Sequence, residues 1–263
     1  MLRYHPKINL QTYEVIGFEA LVRWQHPQHN AISPGTFIPL AEETGLILPL
    51  GQWVLEQACL QARLWQEQAL PPLRIAVNVS VMQFIRPDFI ENIERTLSQY
   101  GTSPERFAIE LTESVFLHDH NEAAGRIRSL RDLGLLVYLD DFGMAYSSLA
   151  YLRRLPINAL KIDQAFIHDL AMPAAANVDP SALVKAIVTL GHSLNLHVIA
   201  EGVESQQQVD ILRALGCDGV QGFWFARPML AENVPLWLQD WPRRRREFYG
   251  EAGPPAAVAS SPL

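Results

Sequence analysis

Leu135–Ser148 reads LLVYLDDFGMAYSS. Leu135 to Leu139 is a short, nearly unbroken apolar run, and it follows a helix-like segment that ends at Gly134. A run this short, set between a helix and a Gly-containing turn, predicts a strand buried on both faces. It ends in Asp140-Asp141. Two adjacent carboxylates at the end of a buried strand repel each other and lose hydration, so water, a cation or a metal ion must meet them. The local alternative is an aspartate cap beside a solvated neighbour. Gly143 and the small residues through Ser148 predict a mobile loop. The rest of the chain bears on the choice, because it repeats the pattern of an apolar strand followed by a polar residue.

The chain has 263 residues, room for one large domain or two small ones. It is 49% apolar and 19% charged, enough for a sizeable core. A formal charge of -7 argues against a DNA or RNA binder that relies on a basic surface. A small anionic ligand stays open where local metals or arginines offset the charge. Cys59 and Cys217 make no disulfide framework or metal spacing, and Cys59 reads as a packed thiol on an apolar helical face. A reduced, cytoplasmic compartment fits best. There is no signal peptide and no apolar run of membrane-spanning length. A parent protein carrying further domains, some of them membrane-attached, remains compatible with this.

From the N-terminus, Leu2–Leu10 and Val15–Trp24 read as two strands around a turn near Gln11-Thr12. Glu19 lies among apolar residues of the second, either structurally paired or a ligand; Arg23 could pair with it or with an anionic ligand. Asn30–Gly45 reads as a Pro/Gly-containing connection. A helix over about 51–68 buries Leu55, Ala58, Ala62 and Trp65. Arg74–Ser80 is a strand with Asn78 at its polar end. A helix from Pro87 buries Phe89, Ile93 and Leu97 and stops at Gly101. Arg106–Glu113 is read as a strand, with Glu110 near its end and Glu113 just beyond. The next helix carries Ala123, Ile127 and Leu130 and ends at a Gly134 cap. Tyr151–Leu155 is expected to be helical, and Ala159–Asp163 is a strand that presents Lys161. Met172–Pro180 reads as a flexible connection. Ser181 is expected to cap a helix whose stripe is Leu183, Ala186, Ile187, Leu190 and Leu194. His197–Ala200 is a strand leading to Glu201 and Glu204. The helix after Ser205 ends at Gly216, and Gly219–Phe225 is read as the last strand, carrying Gln221. Arg243–Arg246 is read as a solvated helix or tail. The Ala-, Pro- and Ser-rich end, residues 249–263, is expected to be a disordered tail outside a domain spanning 1–248.

Strands alternate with amphipathic helices six or seven times, which predicts a parallel sheet with helical crossovers. A closed barrel and an open doubly wound sheet both fit that rhythm. Asn78, Glu110, Asp140, Lys161, Glu201 and Gln221 lie at or near the C-terminal ends of successive strands, and only a barrel gathers such ends at one mouth. Each has a local alternative: Asn78 as a turn cap, Glu110 paired with Arg106, Lys161 reaching to solvent. Their coincidence at one end favours a shared site. Carboxylates and an amide, with no clustered His or Cys, suit Mg²⁺ or Mn²⁺ better than Zn²⁺. Two such ions about 3.5–4 Å apart clamp the attacking and leaving oxygens in phosphodiester hydrolysis.

At these residues the sequence resembles the EAL-domain family of cyclic-di-GMP phosphodiesterases. Glu19-Ala20-Leu21 is the name-giving triplet, within EALVRW. The match continues through SPGTFIPLAEETGLI from Ser33, NVS from Asn78, ELTES from Glu110, DDFG from Asp140, LKID from Leu160, AEGVE from Ala200 and QGFWFARP from Gln221. The resemblance implies an α/β fold: a modified TIM (β/α)8 barrel with an antiparallel first strand. It implies that Glu19, Asn78, Glu110 and Asp140 bind one metal, and that Asp140 bridges to a second completed by Asp141 and Glu201. Lys161 would stand near the attacking water and the phosphoryl oxygens. Glu201 and Gln221 would orient water or ligands, with Glu204 grouped among the substrate-binding residues. Leu21 and Arg23 would hold the dinucleotide, and Glu113 would anchor the loop after Asp141, a loop linked to catalysis and to dimer communication. The expected activity is metal-dependent hydrolysis of cyclic-di-GMP to linear pGpG by a homodimer. The alternatives are a cyclic-di-GMP receptor that does not cut, and an interaction domain that no longer binds nucleotide. Two departures stand out: Ala145 replaces a second glycine in the loop, and His5 replaces the usual glutamine of the opening strand.

Overall fold

A computed structural model describes residues 1–28, 30–116, 119–144, 152–171 and 179–249. Eight strands close into a barrel: β1 (Leu2–Asn9), β2 (Val15–Val22), β5 (Arg74–Asn78), β6 (Phe107–Thr112), β7 (Leu136–Phe142), β8 (Ala159–Ile162), β9 (His197–Ala200) and β10 (Gly219–Val220). Around the ring the order is β1-β10-β9-β8-β7-β6-β5-β2. β1 runs antiparallel to both of its neighbours, and the remaining pairs are parallel. The open doubly wound alternative is thereby excluded, and the antiparallel first strand is present.

The barrel interior follows from the period of two along each strand. Gly17 precedes Glu19, Ala76 precedes Asn78, Ala108 precedes Glu110, Tyr138 precedes Asp140, Ala159 precedes Lys161, Ile199 precedes Glu201 and Gly219 precedes Gln221. Ala76, Ala108, Tyr138, Ala159 and Ile199 form a small apolar cluster of their own, the floor of the barrel. The polar residues two positions later form the layer above it. The alternate residues, among them Ile75, Ile109, Leu139, Leu160 and Val198, face outward into the main core under the helices.

Those helices carry the expected stripes. α2 (Ile47–Glu67) buries Leu55, Ala58, Ala62 and Trp65; α4 (Phe89–Tyr100) buries Phe89, Ile93 and Leu97 and ends at left-handed Gly101; α5 (His120–Asp132) buries Ala123, Ile127 and Leu130. Cys59 is buried and unpaired on α2.

Several expectations fail. Residues 30–45 are not a plain connection: they hold β4 (Asn30–Ile32), paired with β3 (Trp24–His26), and helix α1 (Pro34–Glu43). α2 starts four residues early because Gly51 is tolerated inside it. A short α3 (Val81–Phe84) follows β5, held by a Ser80–Gln83 capping box. A further short helix, α6 (Gln164–Asp169), follows β8. In α7 (Ser181–Ser193) the buried face is Val184, Ile187, Val188 and Gly191, while Leu183 is half exposed. A Cβ at Gly191 would sit 2.4 Å from Val198, so close approach to β9 at that glycine fixes the rotation of the helix. Ser181 is the first residue of α7 and not its cap; Asp179 accepts hydrogen bonds from its N–H and its hydroxyl. β10 stops at Val220 and not Phe225, because Gly222 turns the chain against the Val203 backbone, where a Cβ would be 2.1 Å from a carbonyl oxygen.

α8 (Gln206–Ala214) precedes β10, and α9 (Val234–Tyr249) takes in the arginines from 243 to 246 as a solvated helix. Tyr151, most of the 172–180 connection, Ala145 and the tail from Gly250 lie outside the described residues.

Candidate active site

The mouth of the barrel gathers eight of the expected polar residues: Glu19, Asn78, Glu110, Asp140, Asp141, Lys161, Glu201 and Gln221. Glu19 is buried and accepts a 2.6 Å hydrogen bond from Asn78 Nδ2 and a 2.7 Å bond from Gln221 Nε2. Lys161, fully buried, stands among four carboxylates: Glu201 at 2.6 Å, Glu110 at 2.9 Å, Asp140 at 3.0 Å and Glu19 at 3.7 Å. Lys7 pairs with the other oxygen of Glu110, so Glu110 meets two lysines and not Arg106.

The two aspartates part company through an irregularity of β7. Its register with β8 shifts between Leu139 and Phe142. Asp140 keeps the inward direction of Tyr138, whereas Asp141 takes a left-handed backbone, φ 52°, and its N–H donates to Asp140 Oδ1 at 3.0 Å. Aspartate adopts that conformation more readily than most residues, at a cost of about 1 kcal/mol. The bulge brings the second carboxylate over the same mouth. Gly143 then donates its N–H to Glu113 Oε1 at 2.9 Å.

Charge at this mouth is unbalanced. Five carboxylates, Glu19, Glu110, Asp140, Asp141 and Glu201, face two lysines. Burial pushes Glu110 up to about 7, against the pull of Lys161 and Lys7. Asp141 is exposed on the rim side, yet partial loss of hydration and then Asp140 push it up to about 6, with Asp163 adding to it. Burial raises Glu201 well above the usual carboxylate range. For Glu19 burial also acts upward, but Lys161, Lys7 and the two amides outweigh it and hold the carboxyl low. Burial acts on Lys161 downward, yet Asp140, Glu110, Glu19 and Glu201 keep it a firm cation.

Oxygen atoms of Glu19, Glu110 and Asp140 lie within 4.8 Å of one another, as do those of Asp140, Asp141 and Glu201. The two groups share Asp140. Acid oxygens this close, undercompensated by lysine, suit hard divalent cations. Asn78 fits the same set, since its nitrogen donates to Glu19 and its amide oxygen is a hard donor suited to such cations. Buried Gln221 Oε1 has no hydrogen-bond partner among the described residues. The residues present therefore fit a site for metal ions.

A family model described as EAL domain matches residues 1–228. The chain belongs to the EAL domain family. Its similarity to a Pseudomonas aeruginosa bifunctional diguanylate cyclase/cyclic di-GMP phosphodiesterase, MucR, is 44% identity over 234 residues, 89% of this chain and 34% of that protein. To the cyclic di-GMP phosphodiesterase PA2567 of the same organism it is 41% over 239 residues, 90% of this chain and 40% of that one. The chain thus spans a third to two fifths of the length of these curated relatives. A solved structure described as the PaMucR phosphodiesterase in complex with c-di-GMP superposes with a TM-score of 0.84 at 44% identity, covering 89% of this chain and 93% of that one.

In this EAL domain, Leu21 and Arg23 line a cleft of about 570 Å³ beside Asn78, walled by α1, α2 and α3. Glu113 is buried one layer away, its second oxygen without a hydrogen-bond partner among the described residues. Glu204 is not drawn in: it is exposed, and its described hydrogen bond is from its backbone N–H to Gln208 Oε1 at 2.7 Å. Lys7 of β1 was missed as a participant, and His5, noted in the sequence only as a departure from the family's glutamine, joins the site as well. Lys7 is buried against Glu110, 5.0 Å over the Tyr138 ring. His5 packs against Gln221. Their signal was the alternation of β1: polar residues at 5 and 7 share the face that faces Glu19 across the strand pair.

Proposed function

We propose that this EAL domain is a divalent-metal-dependent phosphodiesterase that hydrolyses cyclic-di-GMP to linear pGpG. The observation that carries the reading is the convergence of Glu19, Asn78, Glu110, Asp140, Asp141, Lys161 and Glu201 at one barrel mouth, beside a cleft of about 570 Å³. Bound among these carboxylates, two Mg²⁺ or Mn²⁺ ions would neutralise them and supply Lewis-acid stabilisation of charge developing at phosphorus. Glu19, Asn78, Glu110 and Asp140 would hold the first ion, with Asp140, Asp141 and Glu201 holding the second.

The chain's own groups divide the remaining work. Lys161, a cation among these carboxylates, would stabilise charge on the phosphoryl oxygens and position water, a role that suits a lysine better than that of a base. Glu201 and Gln221 orient the attacking water. Leu21 and Arg23 hold the nucleotide in the cleft. Water oxygen bonds to phosphorus, the bond from phosphorus to one 3′-oxygen breaks, and the 3′-oxygen leaves with a proton. Glu113 fixes Gly143 and so the exit of the chain from β7. Glu204, exposed on the rim, is a weaker candidate for substrate contact.

Chromatography of cyclic-di-GMP after incubation with the purified chain and Mg²⁺ or Mn²⁺ tests the reading. The expected product is pGpG, absent in excess chelator. Tight binding with no product would make this domain a receptor. Homodimerisation belongs to the same proposal, on the family resemblance, and sedimentation tests it. The length of the relatives supports a parent protein with other domains. Buried, unpaired Cys59 and Cys217 fit a cytoplasmic setting. Among the described residues no helix is long and apolar enough to cross a membrane.

A further inference from the structure

His5 occupies an inward position of β1, directly across the strand pair from Glu19, and is 7% exposed. Its two ring nitrogens face different partners. Nε2 lies 3.0 Å from the carbonyl oxygen of Ala226, and Nδ1 lies 2.8 Å from Gln221 Nε2. A carbonyl only accepts, so Nε2 must carry the proton. A neutral imidazole has a single N–H, so Nδ1 must accept. The carboxamide of Gln221 is therefore bound to present nitrogen to His5.

The same orientation is required from the other side. Gln221 Nε2 lies 2.7 Å from Glu19 Oε2, an acceptor. One amide hydrogen goes to Glu19 and the other to His5, which uses both donors of that group. A flipped amide would set oxygen against the Glu19 carboxylate and against an unprotonated ring nitrogen. What remains is Gln221 Oε1, a buried acceptor with no hydrogen-bond partner among the described residues. A buried acceptor left bare is costly, and a donor arriving with a ligand recovers that cost.

We infer that His5 is a positioning residue: as the Nε2–H tautomer, anchored on Ala226, it locks the Gln221 carboxamide so that its oxygen is free to accept from a water or hydroxyl donor of the substrate complex. Glu19 alone fixes only one amide hydrogen and leaves the plane of the group free to swing. His5 removes that freedom. It touches no reacting atom and acts through Gln221. The kinetic consequence rests on the phosphodiesterase reading, whereas the tautomer does not.

The test begins with ¹⁵N-histidine NMR of the full chain in chelator at pH 7.5, with the His5 signals assigned by their loss in His5→Asn. The expected signature is a protonated Nε2 and an unprotonated Nδ1. An Nδ1–H tautomer, or an imidazolium, overturns the inference whether or not the chain hydrolyses cyclic-di-GMP. Kinetics supply the second arm. His5→Phe removes both hydrogen bonds and should lower kcat at least tenfold, with KM changed less than threefold. His5→Asn places an acceptor near the Nδ1 position and should recover at least a third of the wild-type kcat. A His5→Phe enzyme with wild-type kcat overturns the inference. Should His5→Phe fail to fold, the tautomer and His5→Asn decide, and an Asn variant more than tenfold slow contradicts it.

Discussion

Lys161 shows most plainly how single residues make this site. It is fully buried and within 4 Å of four carboxylates, so its charge offsets repulsion that the barrel would otherwise bear unrelieved. Removing one partner from a buried ionic set costs about 3–5 kcal/mol. Lys161→Met should therefore lower the melting midpoint of metal-free protein by on the order of 10 °C, and Mg²⁺ should raise that midpoint more in the variant than in the wild type. Turnover should fall at least a hundredfold. A variant as stable as wild type in chelator would show that the carboxylates need no lysine. Glu19→Ala isolates the metal contribution: calorimetric titration with Mn²⁺ should lose a binding event, while circular dichroism in chelator stays native. Unfolding of Glu19→Ala would make the glutamate structural. Most of these residues were legible because each polar group ends an apolar strand, a position that a core residue cannot occupy without a partner. Lys7 was not legible, since a lysine on a short strand ordinarily reaches solvent; its partner Glu110 lies on a strand far away in the chain.

At the scale of elements, β7 decides the site. Its apolar run predicted the strand, but the bulge at Asp140–Asp141 depends on pairing with β8, which no local pattern announces. The short β10 and the rotated α7 have the same kind of cause: Gly222 and Gly191 permit backbone approaches that hydrophobic periodicity does not encode. After the bulge, Gly143 has φ 103°, and a Cβ there would lie 2.7 Å from the Phe166 ring. Its N–H is held by Glu113. Glu113→Ala should lower kcat about tenfold by freeing this exit, while cyclic-di-GMP still binds in Ca²⁺ as read by calorimetry. Full activity in Glu113→Ala would remove the anchoring role. Ala145, the departure in this loop, lies outside the described residues.

For the whole molecule, closure of the sheet is what turns scattered strand ends into one acidic mouth, and its cost should be visible in stability. Glu110, pushed up to about 7, and Asp141, pushed up to about 6, bind protons more tightly in the folded state than unfolded. Between about pH 4.5 and 7 the folded protein holds more protons, so stability falls as pH rises through that window. Glu19, held low, acts with the opposite sign but below it. In chelator the melting midpoint should drop from pH 5 to pH 7.5 by more in wild type than in Glu110→Gln, and Mg²⁺ should flatten the difference. Equal drops in the two proteins would contradict the assignment.

Addition of water to phosphorus at this mouth would leave an oxygen label in the product. Cyclic-di-GMP incubated with the purified chain and Mn²⁺ in ¹⁸O-water should give pGpG with one ¹⁸O, located in the 5′-phosphate, and none in excess chelator. Intact cyclic-di-GMP, or pGpG without label, would contradict it.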